Sequence, residues 1–265
     1  MQVGLVGAGN MARAMARGWG DPVLCSDSGS GRAQMIVDEL GGEVVSNREL
    51  ADRADLVVLS HKPYQLGDVA RQIGDSAKPV VSVLGGTSTQ DVQHAFRRSQ
   101  VFVLIPNIPV EVRRGVVVYA DRDPGLRHGE GSSPALDDAI EAQVLELFRR
   151  LGTVVTVPER LMSAANAITG VGPAYQALLA EAQIDAAVRH GVGADLASRL
   201  VVETMAGAAE LIALREYDTL SVRREVTSPG GSTARGLDAL ERSRIRTAFQ
   251  NAIDAVVQRK GPTGR

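Results

Sequence analysis

A glycine-rich segment near the N-terminus has the composition and spacing of a dinucleotide-binding turn. Directly after an apolar run, the pattern G-x-G-x-x-G/A is matched by Gly7, Ala8, Gly9, Asn10, Met11 and Ala12. In this pattern the first glycine permits a tight turn, the second leaves room for a pyrophosphate, and the last residue lets a helix pack closely on a strand. Free N–H groups at the start of that helix would face the anion. The segment therefore predicts a phosphate cradle.

The residues at the end of the second apolar run bear on which dinucleotide fits. Ser26 and Asp27 stand there, followed closely by Ser28, Ser30 and Arg32. An acidic residue at this place typically binds the ribose 2′-hydroxyl of NAD, whereas serine and arginine can hold the 2′-phosphate of NADP. Asp27 thus indicates NADH, whereas Ser28, Ser30 and Arg32 indicate NADPH. We favour NADPH as the cofactor and keep NADH open.

A second segment, rich in glycine and hydroxyl groups, precedes the last predicted helix. It consists of Thr227, Ser228, Pro229, Gly230, Gly231, Ser232 and Thr233. The backbone N–H groups of such a segment can form a nest that binds a small carboxylate. The same residue types also form ordinary helix caps and turns, and composition alone favours that interpretation.

Charge and cysteine content exclude several classes of protein. A net charge of −2 provides no basic field for nucleic acid or for an anionic membrane. No run reaches the roughly 18 apolar residues of a membrane span. The single cysteine, Cys25, cannot form an intrachain disulfide and is typical of a reducing compartment. We therefore expect a soluble, cytoplasmic protein with no nucleic-acid or membrane partner.

The histidines show no metal-ligand spacing, because they are spread along the chain at His61, His94, His128 and His190. We therefore expect no metal. His61 is the one that stands beside a predicted cofactor segment, and there a surface role is favoured over catalysis.

The first part of the chain alternates apolar runs with amphipathic stretches. Continuous apolar runs, typical of strands covered on both faces, lie at residues 2–6, 22–26, 56–60, 80–84 and 100–105. Helix-like segments between them predict βαβ units and an α/β, Rossmann-like, doubly wound parallel sheet. Runs at 115–120 and 153–157 could extend this sheet. A mobile surface loop is predicted at 121–134.

After about residue 158 the strand-like runs end and Ala-rich helical segments take over. Helices are predicted at 161–167, 174–190, 194–214 and about 236–258, with a frayed tail at 260–265. The chain is thus expected to have two domains, a dinucleotide-binding domain at 1–157 and an all-α domain at 158–265. Apolar faces on several of these helices need partners, which predicts a homodimer or a higher homo-oligomer built from the second domain.

Five short segments occur in the same order and with similar spacing in pyrroline-5-carboxylate reductases, and the resemblance covers nearly the whole chain. They are GAGNMA at 7–12, SHKP at 60–63, PNIP at 106–109, GVGPAY at 170–175 and SPGGST at 228–233. The resemblance implies a Rossmann-like domain, a helical dimerisation domain and an active site between them. It also implies NAD(P)H-dependent reduction of a C=N bond, which converts 1-pyrroline-5-carboxylate to L-proline.

Carried over position by position, the resemblance implies two groups of site residues. In addition to the glycine-rich segment, Ser26 and Asp27, the cofactor would be lined by Asn47, Ser60, His61, Lys62, Pro63, Leu84 and Gly85. The substrate carboxylate and ring nitrogen would be held by Ser228, Gly230, Gly231, Ser232 and Thr233, with Glu216 and Thr227 nearby. The hydroxyl of Thr233 is the candidate for the catalytic contact with the ring nitrogen.

Some residues depart from the family pattern. Ser60-His61-Lys62-Pro63 stands where the family commonly has Ala-Val-Lys-Pro, and Val103 to Val110 lack the usual arginine and threonine. Reduction of another cyclic imine, or a dinucleotide-binding regulator without turnover, are therefore kept as alternatives. The intact SPGGST segment argues against the regulator, since a sensor need not keep a carboxylate nest.

Overall fold

The computed structural model describes residues 1–76, 78–121 and 137–257, and the chain divides into two compact units, Met1–Pro173 and Ala174–Arg265. The loop predicted at 121–134 lies outside the described residues except for Asp121, as do His128 and the tail at 260–265. The predicted domain boundary between residues 157 and 158 stays a prediction.

The first unit is built on one eight-stranded sheet with the strand order β3-β2-β1-β4-β5-β6-β7-β8. The strands are β1 Val3–Val6, β2 Val23–Ser26, β3 Gly42–Val44, β4 Leu56–Leu59, β5 Val80–Ser82, β6 Val101–Pro106, β7 Gly115–Asp121 and β8 Gly152–Pro158. The order reverses beside β1, which pairs in parallel with both β2 and β4. The carboxyl ends of β1 and β4 therefore form the switch point at which doubly wound sheets bind ligands.

One strand pair departs from the parallel sheet that the sequence predicts. β6 and β7 are antiparallel, with Ile105 opposite Val118, whereas β7 and β8 are again parallel. Only a short 3₁₀ helix, Ile108–Val112, connects β6 to β7. A parallel crossover needs a dozen or more residues, so this short connection can only reverse the chain.

The inner strands β1, β2, β4, β5 and β6 are apolar and buried because both faces of the sheet are covered there, whereas the edge strands β3 and β8 are largely exposed. Alternate residues of one strand enter different clusters: Leu56 and Val58 pack in one cluster and Val57 and Leu59 in the other. The first cluster contains Trp19, whose ring meets Phe148 edge-on at 5.6 Å. Its indole N–H donates to the carbonyl of Leu147, so a buried polar group is satisfied.

The helices are α1 Asn10–Trp19, α2 Arg32–Leu40, α3 Asn47–Arg53, α4 Leu66–Ile73, α5 Thr89–Ala95, α6 Asp138–Arg149, α7 Met162–Thr169, α8 Gly172–Arg189, α9 Ala194–Leu214, α10 Thr219–Glu225, α11 Ser232–Arg242 and α12 Ile245–Val257. Sequence reasoning missed β3, α3, α5 and α10, which are all short. The caps could have revealed α3 and α5, because Ser46 accepts from Glu49 N–H and Ser88 forms a capping box with Asp91.

The second unit consists of helices, and the single last helix predicted from 236 to 258 is wrong. The structure has two helices there, α11 and α12, with Arg244 in the left-handed conformation at φ 56° between them. A left-handed residue cannot continue an α-helix, so the chain turns. Among the residues described from 174 to 257, Ala197 is the one that is buried. No helix in the described part is long and apolar enough to cross a membrane.

Candidate functional site

A cleft of about 810 Å³ opens at the switch point of the sheet. It lies at the carboxyl ends of β1, β2 and β4. The predicted cofactor residues among its lining are Gly7, Ala8, Gly9, Asn10, Met11, Ser26, Asp27, Asn47, Ser60, His61 and Lys62. The structure thus brings together residues from four separate stretches of the sequence.

Gly7 is held where no other residue fits. Its φ is +102°, and a Cβ would lie 2.7 Å from the backbone nitrogen of His61. Its N–H donates to the carbonyl of Ser26 at 2.9 Å, and its own carbonyl accepts from the Ser60 hydroxyl at 2.8 Å. The glycine-rich turn is therefore tied to the ends of both neighbouring strands before any ligand binds.

Gly9 and the start of α1 form the cradle itself. Gly9 has an ordinary extended conformation, φ −73°, and a Cβ built on it meets no atom within 4 Å. Gly9 is also the N-cap of α1 and supplies no side-chain cap, so the first N–H groups of the helix remain available to an anion. Ala12 is fully buried in the sheet-facing core, as close helix–strand packing requires. This arrangement fits a pyrophosphate.

A chain of polar side chains runs along the part of the cleft that follows β2. The Ser26 hydroxyl donates to Asn47 Oδ1 at 2.5 Å, and Asn47 Nδ2 donates to Gln72 Oε1 at 2.5 Å. Asn47 is the first residue of α3, and Gln72 belongs to α4. These bonds join β2, α3 and α4 around one wall of the cleft.

Asp27 is engaged within the loop that follows β2. Its carboxylate accepts from the N–H groups of Gly29 and Ala33 and from the Ser30 hydroxyl. Partial burial raises the pKa of Asp27, but these hydrogen bonds lower it more, so its pKa lies below the ordinary value. Asp27 is therefore an anion whose charge is already offset by loop donors.

The His61 ring is partly buried and lies among the residues that line the cleft. Its Nδ1 lies 2.9 Å from the carbonyl of Lys62, which makes Nδ1 the donor. Nε2 is buried and has no hydrogen-bond partner among the described residues. Burial lowers the pKa of His61, because it disfavours the charged ring, and the hydrogen bond to Lys62 opposes this in part.

Four of the predicted cofactor residues do not line this cleft: Ala12, which is buried in the core, and Pro63, Leu84 and Gly85. Pro63 lines a neighbouring groove of about 710 Å³ between α4 and α5. Leu84 is buried and packs in the core on one face of the sheet, while Gly85 after it is exposed. Pro63, Leu84 and Gly85 lie outside the cleft because of the path that the chain takes after β4 and β5. The spacing of residues in the sequence does not reveal this path.

Sequence reasoning missed several residues that line the cleft. They are Val6, Tyr64, Gln65, Asp68, Val69, Gln72 and Ile108. Tyr64 gave a signal that could have been used, since it is a large aromatic residue directly after the Lys62-Pro63 pair, and it is 84% exposed. Gln65, Asp68, Val69 and Gln72 become neighbours of the glycine-rich turn only when α4 and the residue before it fold beside the cleft.

In the second unit, the SPGGST segment forms a turn that leads into α11. Gly230 has φ +70°, which favours glycine, and Gly231 N–H donates to the carbonyl of Ser228 at 3.1 Å. Gly231 is the N-cap of α11 and supplies no side-chain cap. The Thr227 hydroxyl donates to the carbonyl of Arg223, so it closes α10. The first N–H groups of α11 therefore stay available to a carboxylate.

Thr233 is the second residue of α11 and is partly buried. Its hydroxyl has no hydrogen-bond partner among the described residues, and Gly231, not Thr233, occupies the cap position. Glu216 lies in the turn after α9, exposed, with φ 54°, followed by Tyr217 at φ 66°. Two successive non-glycine residues in the left-handed region are uncommon and mark this turn as strained.

Comparison with known proteins gives two family models. Residues 159–262 match the model described as pyrroline-5-carboxylate reductase dimerisation, and residues 2–86 match the model described as NADP oxidoreductase, coenzyme F420-dependent. Pyrroline-5-carboxylate reductase of Synechocystis is 31% identical, over 100% of this chain and 99% of the relative. Pyrroline-5-carboxylate reductase 2 of Bacillus subtilis is 30% identical, over 97% and 93%.

Solved structures agree with these relatives. Pyrroline carboxylate reductase of Plasmodium falciparum, solved with NADP bound, has a TM-score of 0.82 and 26% identity and covers 97% of this chain and 96% of its own. The enzyme of Coxiella burnetii has the same TM-score, identity and coverage. These similarities bear out the predicted fold class, in which a Rossmann-like domain is followed by a helical domain.

Proposed function

The chain belongs to the pyrroline-5-carboxylate reductase family, and from this premise we propose that it reduces 1-pyrroline-5-carboxylate to L-proline with NADPH. The observation that carries the proposal is the pairing of two features in one chain. One is a preformed pyrophosphate cradle at the switch point, and the other is an uncapped SPGG turn that suits a small carboxylate.

The chain's own residues hold the cofactor through complementary charge and shape. The turn around Gly7 and Gly9 would receive the pyrophosphate, with Ala8, Asn10 and Met11 beside it. Ser26, Asn47, Ser60, His61 and Lys62 would line the remainder of the dinucleotide, whereas contacts from Pro63, Leu84 and Gly85, which lie outside the cleft, stay a prediction of the family resemblance. NADPH is favoured over NADH because Ser28, Ser30 and Arg32 line the same cleft, and Arg32 forms no ion pair among the described residues.

The substrate would bind at the start of α11, where the helix dipole and the free N–H groups favour its carboxylate. Gly230, Gly231 and Ser232 supply the backbone nest, with Ser228 and Thr227 beside it and Glu216 in the neighbouring turn. The bound nicotinamide supplies the hydride to the carbon of the C=N bond. The protein orients this bond and provides a hydrogen-bonding group at its nitrogen.

Thr233 is the group proposed to contact the ring nitrogen. Its hydroxyl is not used for capping and has no partner among the described residues. A hydroxyl can accept a hydrogen bond from a protonated imine and donate to the amine that forms, so it can serve both states of the nitrogen. Reduction of an imine that is already protonated needs no strong acid from the protein, so one hydrogen bond with this hydroxyl is sufficient.

We also propose that the chain acts as a homodimer or a higher homo-oligomer through residues 158–265, in the cytoplasm. The dimerisation family model supports self-association through this region. The helices of the second unit expose large apolar side chains, including Leu178, Leu200 and Leu214, which an oligomer would cover.

The decisive experiment is a spectrophotometric assay of NADPH and NADH oxidation with 1-pyrroline-5-carboxylate. The proposed reaction predicts turnover that requires the imine and yields proline one-for-one with NADPH consumed. Dinucleotide binding without turnover would favour the regulator. Turnover with other cyclic imines but not with 1-pyrroline-5-carboxylate would favour the alternative reductase and reject the proposed substrate.

A further inference from the structure

Asp27 follows β2 at the place where an acidic residue usually accepts hydrogen bonds from the adenosine ribose. In this chain its two oxygens are engaged elsewhere. Oδ1 accepts from Gly29 N–H at 2.8 Å, and Oδ2 accepts from the Ser30 hydroxyl at 2.8 Å and from Ala33 N–H at 3.1 Å. An ionised carboxylate offers about four lone-pair sites, so most of its accepting capacity is taken.

Through these hydrogen bonds, Asp27 caps the N-terminus of α2. The N-cap residue itself is Gly31, which has no side chain and lies in the left-handed region at φ 75°. Ala33 is in the first turn of α2, and its N–H is one of the groups that an ordinary cap would satisfy. Gly29, also left-handed at φ 88°, lies within the same loop. The carboxylate therefore holds together a loop that contains two flexible glycines.

The groups that the loop presents to the cleft are hydroxyls and a cation. Ser28, Ser30 and Arg32 line the cleft together with Asp27. Arg32 is exposed and forms no ion pair with any residue that the structure describes. An unpaired guanidinium beside serine hydroxyls suits a phosphate, which it can bind through two parallel hydrogen bonds.

We propose that Asp27 is a positioning residue for NADPH selectivity: it holds the loop that presents Ser28 and Arg32 to the 2′-phosphate and does not accept a ribose hydroxyl. The inference rests on the proposed function, since it assumes that the cleft holds a nicotinamide dinucleotide. From the sequence alone, an aspartate at this place indicates NAD, whereas the proposed role makes Asp27 favour NADPH.

The two roles predict opposite effects when the carboxylate is removed. A carboxylate that accepts hydrogen bonds from the ribose repels a 2′-phosphate. Its loss would therefore tighten NADPH binding and weaken NADH binding. A residue that anchors the loop acts through Arg32. Its loss would weaken NADPH binding, because the loop must then be ordered when the cofactor binds, and it would leave NADH affinity nearly unchanged. The sign of the change in NADPH affinity therefore decides between them.

The experiment measures dissociation constants for NADPH and NADH by titration calorimetry on the full chain. We expect Asp27→Ala to weaken NADPH about tenfold and NADH less than about threefold. Asp27→Asn should be intermediate, since its amide oxygen can still accept from Gly29. Asp38→Ala is the matched control: it removes the same charge from α2, where Asp38 accepts from Gln34 alone among the described residues and does not line the cleft.

A double-mutant cycle tests the route through Arg32. If Asp27 acts by positioning that guanidinium, Asp27→Ala should change NADPH affinity little in an Arg32→Met background. Tighter NADPH binding in Asp27→Ala, equal losses for both dinucleotides, or losses that add fully in the double variant would overturn the inference. Thermal melts of the same samples check folding, because a purely structural role lowers the melting temperature without changing the ratio of the two affinities.

The outcome is separable from that of the proposed reaction, because binding is measured without turnover. Wild-type protein that binds NADPH but does not reduce the imine would reject the proposed reaction and leave the inference standing. Wild-type protein that reduces the imine but prefers NADH would support the proposed reaction and reject the inference about Asp27.

Discussion

The two units of the chain differ in how much of their stability they can supply alone. In Met1–Pro173 both faces of the inner strands of the sheet are covered, and residues such as Leu5, Phe102 and Phe148 are almost completely buried. Among the residues described in the second unit, Ala197 alone is buried, while Leu200 is 55% and Leu214 73% exposed. The first unit folds around its own core, whereas the second consists of helices whose apolar faces need another surface.

The same contrast extends to the candidate sites. The cleft in the first unit is preformed, because hydrogen bonds tie the glycine-rich turn to two strands. The SPGG turn in the second unit stands on exposed helices that we expect a partner copy to cover. We therefore expect cofactor binding to depend on local shape and imine reduction to depend also on assembly.

The largest effect is expected from charges placed at two exposed leucines of α9. Replacing both Leu196 and Leu200 by Glu should weaken self-association about a thousandfold, since two buried unpaired charges cost about 2 kcal/mol each. Sedimentation velocity at micromolar concentration measures it. Met35→Glu on α2 is the control, because Met35 is similarly exposed but belongs to the first unit. An unchanged oligomer in the double variant would mean that this side of α9 faces no partner.

The next effect is expected at Gly9. Gly9→Ala should weaken NADPH binding about a hundredfold and leave the melting temperature unchanged, because the added Cβ meets no protein atom but would occupy the space of the pyrophosphate. Fluorescence titration and thermal melts measure the two quantities. Gly67→Ala serves as the control, since that Cβ makes only an ordinary 3.7 Å contact with Arg71. Normal NADPH affinity in folded Gly9→Ala protein would reject the cradle.

A smaller effect is expected at Thr233. Thr233→Ala should lower kcat and kcat/KM together by about tenfold to a hundredfold, as expected for the loss of one hydrogen bond to a charged group. NADPH affinity should stay the same, and Thr233→Ser should restore most of the rate because it keeps the hydroxyl. A variant that is less stable but fully active would remove Thr233 from the mechanism and leave only the backbone nest.

The smallest effect concerns His61. Its buried Nε2 lacks a partner among the described residues, so His61→Val should raise the free energy of unfolding by about 1 kcal/mol. His94→Val is the control, because His94 is exposed. Chemical denaturation at neutral pH measures both variants, and an unchanged or lower stability of His61→Val would contradict the interpretation.

The pH dependence of the same variant sharpens this test. Burial keeps the pKa of His61 below its ordinary value, so in the unfolded chain the ring takes up a proton first as the pH falls. The wild type should therefore lose stability relative to His61→Val as the pH falls through about 6.5 towards the lower pKa of the folded state. Above about pH 7.5 the difference between the two proteins should be constant.

Sequence reasoning succeeded where local chemistry decides the outcome. The seven apolar runs became β1, β2 and β4 to β8. For the inner strands the reason is that continuous apolarity reflects burial on both faces, whereas β8 lies at the edge of the sheet and is largely exposed. The glycine-rich turn was predicted residue by residue, since a positive φ at Gly7 and an open position at Gly9 are requirements of single residues. Its failures were short elements and the break at Arg244, where the residue type gave no warning.

Tertiary structure decided what depends on neighbours distant in the sequence. It placed α4 beside the cleft and Pro63 outside it, and it left the helices of the second unit without a core of their own. It also gave Asp27 its partners: the residue type is compatible with binding a ribose, but three loop donors already occupy the carboxylate. A sequence determines which groups a chain carries, whereas only the fold determines which of their lone pairs and faces remain free.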